Sequence, residues 1–394
     1  MNGSRRVFLR SACGHCAALA GLGAAWGAAA QETGTGTFKM PGRFSRPATD
    51  TDEGGLWSLM DREESRLRRS PLAVRDAALT AYLTGLVRKL APDHSPDIRV
   101  YVMRTPYFNA TMAPNGMMQV WSGLLLRVEN EAQLATILGH ELGHYLERHA
   151  VEQLRDAKDK AVLAQLVGLV GGWAGAAGKI GILASLFAFS REHERRADEA
   201  GMRMLIDAGY DGREAPKVWE NLLGELKITG GESIGERSQL FATHPPTGHR
   251  RDDLRRLAGS GGGSVAAADL RRAIAPLRFG WLHDEIKRGQ YEESLVLFDR
   301  MLALEPDDAE VRYARGEVYR LRGDGEDLQR AADDLTRATL AARGPADTWR
   351  SLGLVEKQRA RGGAAVAAFE KYLSMAPDAP EAGMVRAYIA ELKP

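Results

Sequence analysis

Apolar and polar positions alternate along this chain with two periods, and the change from one to the other marks out its elements. From Leu56 to Leu90 apolar residues recur at helical spacing, interrupted at Pro71. "DIRVYVMR" (Asp97 to Arg104) and "GMMQVWSG" (Gly116 to Gly123) alternate as strands do, with "APNG" as the turn before the second. Helical spacing returns from Asn130 to His149, where Leu134, Ile137, Leu138 and Tyr145 form one apolar stripe and Asn130 with Gln133 offers an N-terminal cap. "SREHERRADEAG" (Ser190 to Gly201) predicts a further helix. Its Arg191, Glu192, Arg195 and Arg196 read as a solvated face.

Between these helices lies a long apolar run, 161–189, in which Lys179 is the one charge and glycines recur at 168, 171, 172, 175, 178 and 181. A membrane-spanning helix needs about 20 apolar residues. The glycines weaken this run, which predicts two buried or peripheral helices with peripheral membrane contact; a membrane hairpin is the alternative. Residues 31–56 have no periodicity and read as a mobile leader, and "AGSGGGSVAAA" (258–268) reads as a flexible linker.

Beyond that break a unit of about 34 residues recurs near 275–308, 309–345 and 346–379. Gly289, Tyr291, Phe298 and Pro306 mark the first copy, Gly316, Tyr319, Ala331 and Ala338 the second, and Trp349, Leu352, Gly353, Ala365, Phe369 and Pro377 the third. These are tetratricopeptide offsets, and "EAGMVRAYIAEL" reads as the covering terminal helix. The expected fold is mainly α. A helical domain with a small β-sheet is expected over 57–257, and an α-solenoid of tetratricopeptide repeats over 269–394.

Composition narrows the function. The chain has 394 residues, a net charge of +1 and no basic block, which argues against nucleic acid as a partner. "SRRVFLR" ahead of an Ala/Gly-rich run reads as a twin-arginine export signal over 1–30, with Ala28 and Ala30 at the cleavage site. Both cysteines, Cys13 and Cys16, fall inside that signal, so a chain beginning near Gln31 is cysteine-free. The expected location is the periplasm, soluble or peripheral on the membrane.

The chemistry centres on "ILGHELGHYLERH", Ile137 to His149. His140 and His144 are four apart and so differ by about 40° on a helix, which lets both imidazoles reach one Zn²⁺. Glu141 lies about 60° from His144, close enough to serve a metal-bound water as base yet displaced from ligand geometry. Gly139 and Gly143 cost helix stability of about 1 kcal/mol each, which predicts a close approach to the backbone there. Catalytic zinc takes three protein ligands, and Glu194 is the expected third. Asp198, four residues on, is the expected carboxylate that fixes the tautomer of a ligating histidine.

His244, held before Pro245 and Pro246, reads either as a cap on the zinc or as a donor to a developing oxyanion; His149 and His249 read as structural. "MMQVWSG" reads as the sheet edge that pairs with an extended substrate. A chaperone or scaffold with structural zinc is the rival reading. Glu141 speaks against it, because a structural site has no use for a base beside a ligand.

"LATILGHELGHYLERH", "FSREHERRADEAG", "ATHPPTGHR" (Ala242 to Arg250) and "FNATMAPNGMMQVWSGLL" together resemble metallopeptidase family forty-eight, a gluzincin family, over about Pro71 to Arg250. The resemblance implies one zinc ion on His140, His144 and Glu194, with Glu141 as general base and Asp198 behind the ligands. With the repeats, it implies a periplasmic endopeptidase acting on unfolded or misassembled proteins, in outer-membrane protein quality control. Its partners would be polypeptides, among them outer-membrane proteins or their assembly machinery. A periplasmic protein of that kind would carry a general-secretion signal, from which the arginine pair departs.

Overall fold

Asn130 starts the helix on which the rest of the fold is arranged, its side chain accepting a hydrogen bond from Gln133 N at 2.9 Å. In the computed structural model, which describes residues 38–156, 189–230, 244, 248–342 and 344–393, this helix runs Glu131–Leu146. Numbered in chain order, the part before residue 259 contains α1 (Asp52–Leu67), α2 (Ala77–Leu90), α3 (Ser122–Arg127), α4 (Glu131–Leu146), α5 (His149–Asp156), α6 (Arg191–Asp207), α7 (Glu214–Gly230) and α8 (Gly248–Ala258) among the described residues. The export signal, the leader up to residue 37 and 157–188 of the apolar run lie outside the described residues. Among those described, no helix is long and apolar enough to cross a membrane.

Every residue of α4 is buried, not only the predicted stripe. The helix is enclosed on several sides, by α6, α7, α2 and a sheet strand, so its glycines and histidines face protein. That sheet has four strands in the order β1–β2–β4–β3: β1 (Ala73–Val74), β2 (Arg99–Met103), β3 (Ala110–Met112) and β4 (Met117–Trp121). β2 and β4 pair in parallel with Val102 opposite Val120, whereas β3 and β4 are antiparallel with Thr111 opposite Gln119. Gly116 closes the turn between β3 and β4 at φ 89°, and a Cβ there would stand 2.2 Å from Asp97 O.

This topology corrects one expectation. β4, the strand of "MMQVWSG", is paired on both sides and cannot take another strand. The outer strand beside α4 is β3.

Two segments expected to move freely are held. The leader ends earlier than residue 56, in α1, which Thr51 caps by accepting from Gly54 N at 3.0 Å. Upstream of it, Pro41 O accepts from His94 Nε2 at 2.9 Å and Arg43 Nε donates to Asp97 at 2.8 Å. Within 258–268, Ser264 N donates to Gly209 O at 2.9 Å and Asp211 N to Ser264 O at 3.1 Å. Gly/Ser composition measures the entropy of the free chain; it carries no information about backbone partners supplied from elsewhere.

The helices that follow are α9 (Ala267–Lys287), α10 (Tyr291–Leu304), α11 (Ala309–Arg322), α12 (Asp327–Ala338), α13 (Ala346–Gln358), α14 (Gly362–Met375) and α15 (Ala382–Leu392). Each packs on its successor, as helical repeats do. Residues 39–394 form one compact unit. Arg127, almost wholly buried, joins its two parts, pairing with Glu225 of α7 at 2.7 Å and Glu285 of α9 at 2.8 Å. Arg300 of α10 adds Glu225 at 2.8 Å and Glu129 at 3.1 Å.

α4 and α6 meet through small residues, Gly139 against Gly201 and Gly143 against Ala197. A Cβ at Gly143 would lie 2.7 Å from Ala197 O and 2.9 Å from its Cα, both backbone atoms that cannot give way alone. Gly143→Ala is therefore expected to force the helices apart and destabilise the protein by about 1–3 kcal/mol, the usual range for overpacking. Thermal or denaturant unfolding of the variant measures this, and an unchanged midpoint would show that the pair is not close-packed.

Candidate metal centre

The close α4–α6 approach brings one face of each helix together. His140 and His144 project from α4 with their Nε2 atoms 3.0 Å apart. From α6, Glu194 places Oε2 3.5 Å from His140 Nε2 and Oε1 3.4 Å from His144 Nε2. His244 enters from beyond α7, its Nδ1 2.8 Å from Glu194 Oε1 and 3.3 Å from His140 Nε2. Each of these four buried side chains offers one ligand atom, and all four atoms lie within 4.8 Å of one another. Three imidazoles and a carboxylate are a donor set that suits zinc in number and kind.

Glu141 stands beside the cluster and is buried; among the described residues its Oε1 has no hydrogen-bond partner, and His244 Nε2 lies 3.4 Å from it. An unpartnered buried carboxylate oxygen is costly. Burial raises the Glu141 carboxyl above its ordinary range, and the neighbouring His244 and His140 only partly offset this. Its environment favours taking up a proton.

Behind the ligands, His140 Nδ1 lies 2.9 Å from Asp198 Oδ1, the carboxylate–histidine contact that orients a ligating ring. Arg250 of α8, missed in the sequence, holds that carboxylate in turn through Nε at 2.7 Å and Nη2 at 2.8 Å. The same Nη2 is 2.9 Å from His140 Nδ1, but a ring nitrogen that gives its proton to Asp198 has no lone pair left to accept another. Arg250 also reaches Glu194 Oε2 at 2.8 Å and stacks over Trp219, 4.2 Å from the ring centroid. Among three buried carboxylates it supplies the compensating charge. The signal for it was present in "ATHPPTGHR", but an arginine in an Arg-rich helix reads as exposed.

These charges set the protonation states. Burial opposes ionisation of Glu194, yet His244, Arg250 and the hydrogen bonds of His140 and His144 hold it well below the ordinary carboxylate range. Asp198 is likewise lowered, against its burial, by Arg250 and His140. Burial and Arg250 push His140 down, but the hydrogen bonds of Asp198 and Glu194 outweigh them and bring it up to about 9. A metal ion bound at His140 Nε2 would displace that proton. Burial lowers His144 well below its usual value, which leaves it neutral.

His144 also has company the sequence did not suggest. Phe189 stacks on its ring at 3.9 Å and 17°, and its Nδ1 is 2.9 Å from Nδ1 of His149, a residue read as structural. Arg196, read as solvated, is half-buried and pairs with Glu147 and, at 3.0 Å, with Glu152. Arg195 keeps the exposed role, between Glu192 and Glu199. The side chain of His249, and Pro245 with Pro246, lie outside the described residues.

Comparison with known proteins agrees with this arrangement. A mitochondrial metalloendopeptidase OMA1 of Arabidopsis thaliana is 37% identical over 155 residues, 39% of this chain and 30% of the relative. A beta-barrel assembly-enhancing protease of Escherichia coli is 26% identical over 208 residues, 49% of this chain and 42% of the relative. The OMA1 metalloendopeptidase of Bos taurus is 29% identical over 173 residues, 40% and 32% of the two chains. The chain thus spans less than half the length of these relatives. Residues 73–258, which contain α4, α6, His244 and Arg250, match Peptidase family M48, and this part of the chain is a domain of that family.

Proposed function

We propose that the protein is a zinc-dependent metalloendopeptidase of the bacterial periplasm. It would cleave unfolded or misassembled polypeptides in outer-membrane protein quality control. The observation that carries the peptidase reading is the placement of Glu141: a buried carboxylate oxygen without a partner among the described residues, beside the His140, His144 and Glu194 donors. The names of the relatives support the substrate class, and the arginine pair in "SRRVFLR" supports the location. The helical repeats, read as tetratricopeptide units, would hold clients or dock on an assembly machine.

Zinc on these donors would polarise the scissile carbonyl and acidify a water. The chain's own residues do the rest. Glu141 would accept a proton from the attacking water at its carboxylate and return it to the leaving amine, a task suited to its raised carboxyl. Asp198 and Arg250 keep His140 in the tautomer whose lone pair faces Glu194. The free edge of β3, rather than β4, would pair with an extended substrate beside α4. Glu141→Gln is expected to retain zinc and fold while abolishing casein hydrolysis, because the amide cannot accept the proton. Glu194→Gln should lose zinc as well, read by elemental analysis; full occupancy would mean that another residue is the third ligand.

His244 favours a restrained enzyme. With it, four protein donors converge, the number found in closed structural sites, yet the retained Glu141 is the mark of catalysis. We therefore place His244 as a cap that competes with water for the fourth position. His244→Ala is then expected to raise peptide turnover at full zinc content. An oxyanion donor would instead give a fall of about 10²–10³ with zinc retained.

The location has its own test. Arg5→Lys with Arg6→Lys should block export through the twin-arginine route, and unchanged periplasmic yield would assign the signal to general secretion.

A further inference from the structure

The two α4 histidines are oriented by different kinds of partner. His140 faces a carboxylate, Asp198, whereas His144 faces a second imidazole, that of His149, Nδ1 to Nδ1 at 2.9 Å. Resting on the zinc reading of the site, we propose that His149 is a positioning residue, a neutral acceptor that fixes the tautomer of His144.

Proton accounting leads there. Two facing nitrogens at hydrogen-bond distance share one proton, so one ring donates and the other accepts. For His144 to turn a lone pair on Nε2 toward Glu194, its proton must sit on Nδ1 and be donated to His149. The proton of His149 then lies on its own Nε2, which is buried and has no hydrogen-bond partner among the described residues. That ring is wholly buried, stacked on His193 at 4.5 Å and 22°, so it cannot rotate to offer the other nitrogen. His149 tolerates an unsatisfied N–H in order to present an acceptor to His144.

The backbone is built for this contact. In a continuous helix, residues 144 and 149 would stand about 140° apart, on different faces. α4 instead ends at Leu146, and Arg148 takes a left-handed conformation, φ 57°, that a non-glycine residue seldom adopts. Its guanidinium is tied to Glu53 and lies 5.3 Å from the Phe44 ring, which holds the turn. α5 therefore begins with His149 folded back against His144.

The choice of imidazole has a chemical consequence. Glu141, Glu194 and Asp198 already surround the site with three carboxylates against one Arg250. A fourth carboxylate behind His144 would add negative charge and weaken the pull of the metal on a bound carbonyl or water. A neutral ring orients the ligand without that cost.

The experiment compares purified wild type, His149→Asn and His149→Leu for zinc dissociation constant, by chelator competition, and for the visible spectrum of the cobalt(II)-substituted protein. Asn places Oδ1 where Nδ1 stands and can accept from His144; Leu has nearly the same size and cannot. His149→Leu is expected to weaken zinc binding by about 10–100-fold and to shift the cobalt bands, with His149→Asn within about threefold of wild type. Equal affinity in wild type and Leu would overturn the role, as would an Asn variant that falls as far as Leu, since packing alone would then explain both. Where His149→Leu fails to fold, His149→Phe, which keeps a ring against His193, replaces it in the same comparison. Wild type without stoichiometric zinc would overturn the site itself, a result distinct from variants that all bind alike.

Discussion

The rest of this structure depends on how closely two helices can approach. α4 and α6 touch backbone to backbone, Gly139 on Gly201 and Gly143 on Ala197, with hardly room for one added methyl group. Glu194 reaches the space between His140 and His144 because of that contact, and Asp198 reaches the far nitrogen of His140 for the same reason. Glycines usually reduce what a helix interior contributes to stability. Here they exchange that contribution for proximity, and the buried α4 is held by its neighbours on several sides rather than by its own propensity.

Bringing so many acids together raises an electrostatic problem, and the fold answers it with buried arginines. Arg250 engages Asp198 and Glu194 at once, and its planar fork suits two carboxylates better than an ammonium would. Arg127 does the same at the junction with the repeats, between Glu225 and Glu285. Buried ion networks of this kind add little net stability compared with apolar packing, but removing one member leaves an uncompensated charge. They therefore fix where elements sit more than how strongly they hold. Through Arg300 and Glu129, the junction extends to the residues just before α4, so the repeats are joined to the start of the zinc helix itself.

What could be read in advance follows from the range of the interactions concerned. His140, Glu141 and His144 are related by helix geometry alone, and so are Glu194 and Asp198; a spacing of four residues places side chains on one face whatever surrounds them. The cap at Asn130 and the turn at Gly116 are equally local. The sequence by itself therefore determined which of these side chains share a helix face, and the helical character of both parts of the chain.

Tertiary structure decided the rest, because the deciding contacts join residues far apart or across a break in the backbone. Which strand is the free edge depends on β4 being paired by β2 on one side and β3 on the other, and alternation within β4 is the same in either case. Whether Arg250 faces water or Asp198 depends on where α8 lies against α6, not on its own neighbours in sequence. His149 differs from an ordinary buried histidine only because Arg148 turns the chain through a left-handed conformation, a torsion that no side-chain pattern announces. Local periodicity specifies faces of helices and strands; which face meets which is settled only when the chain has closed on itself.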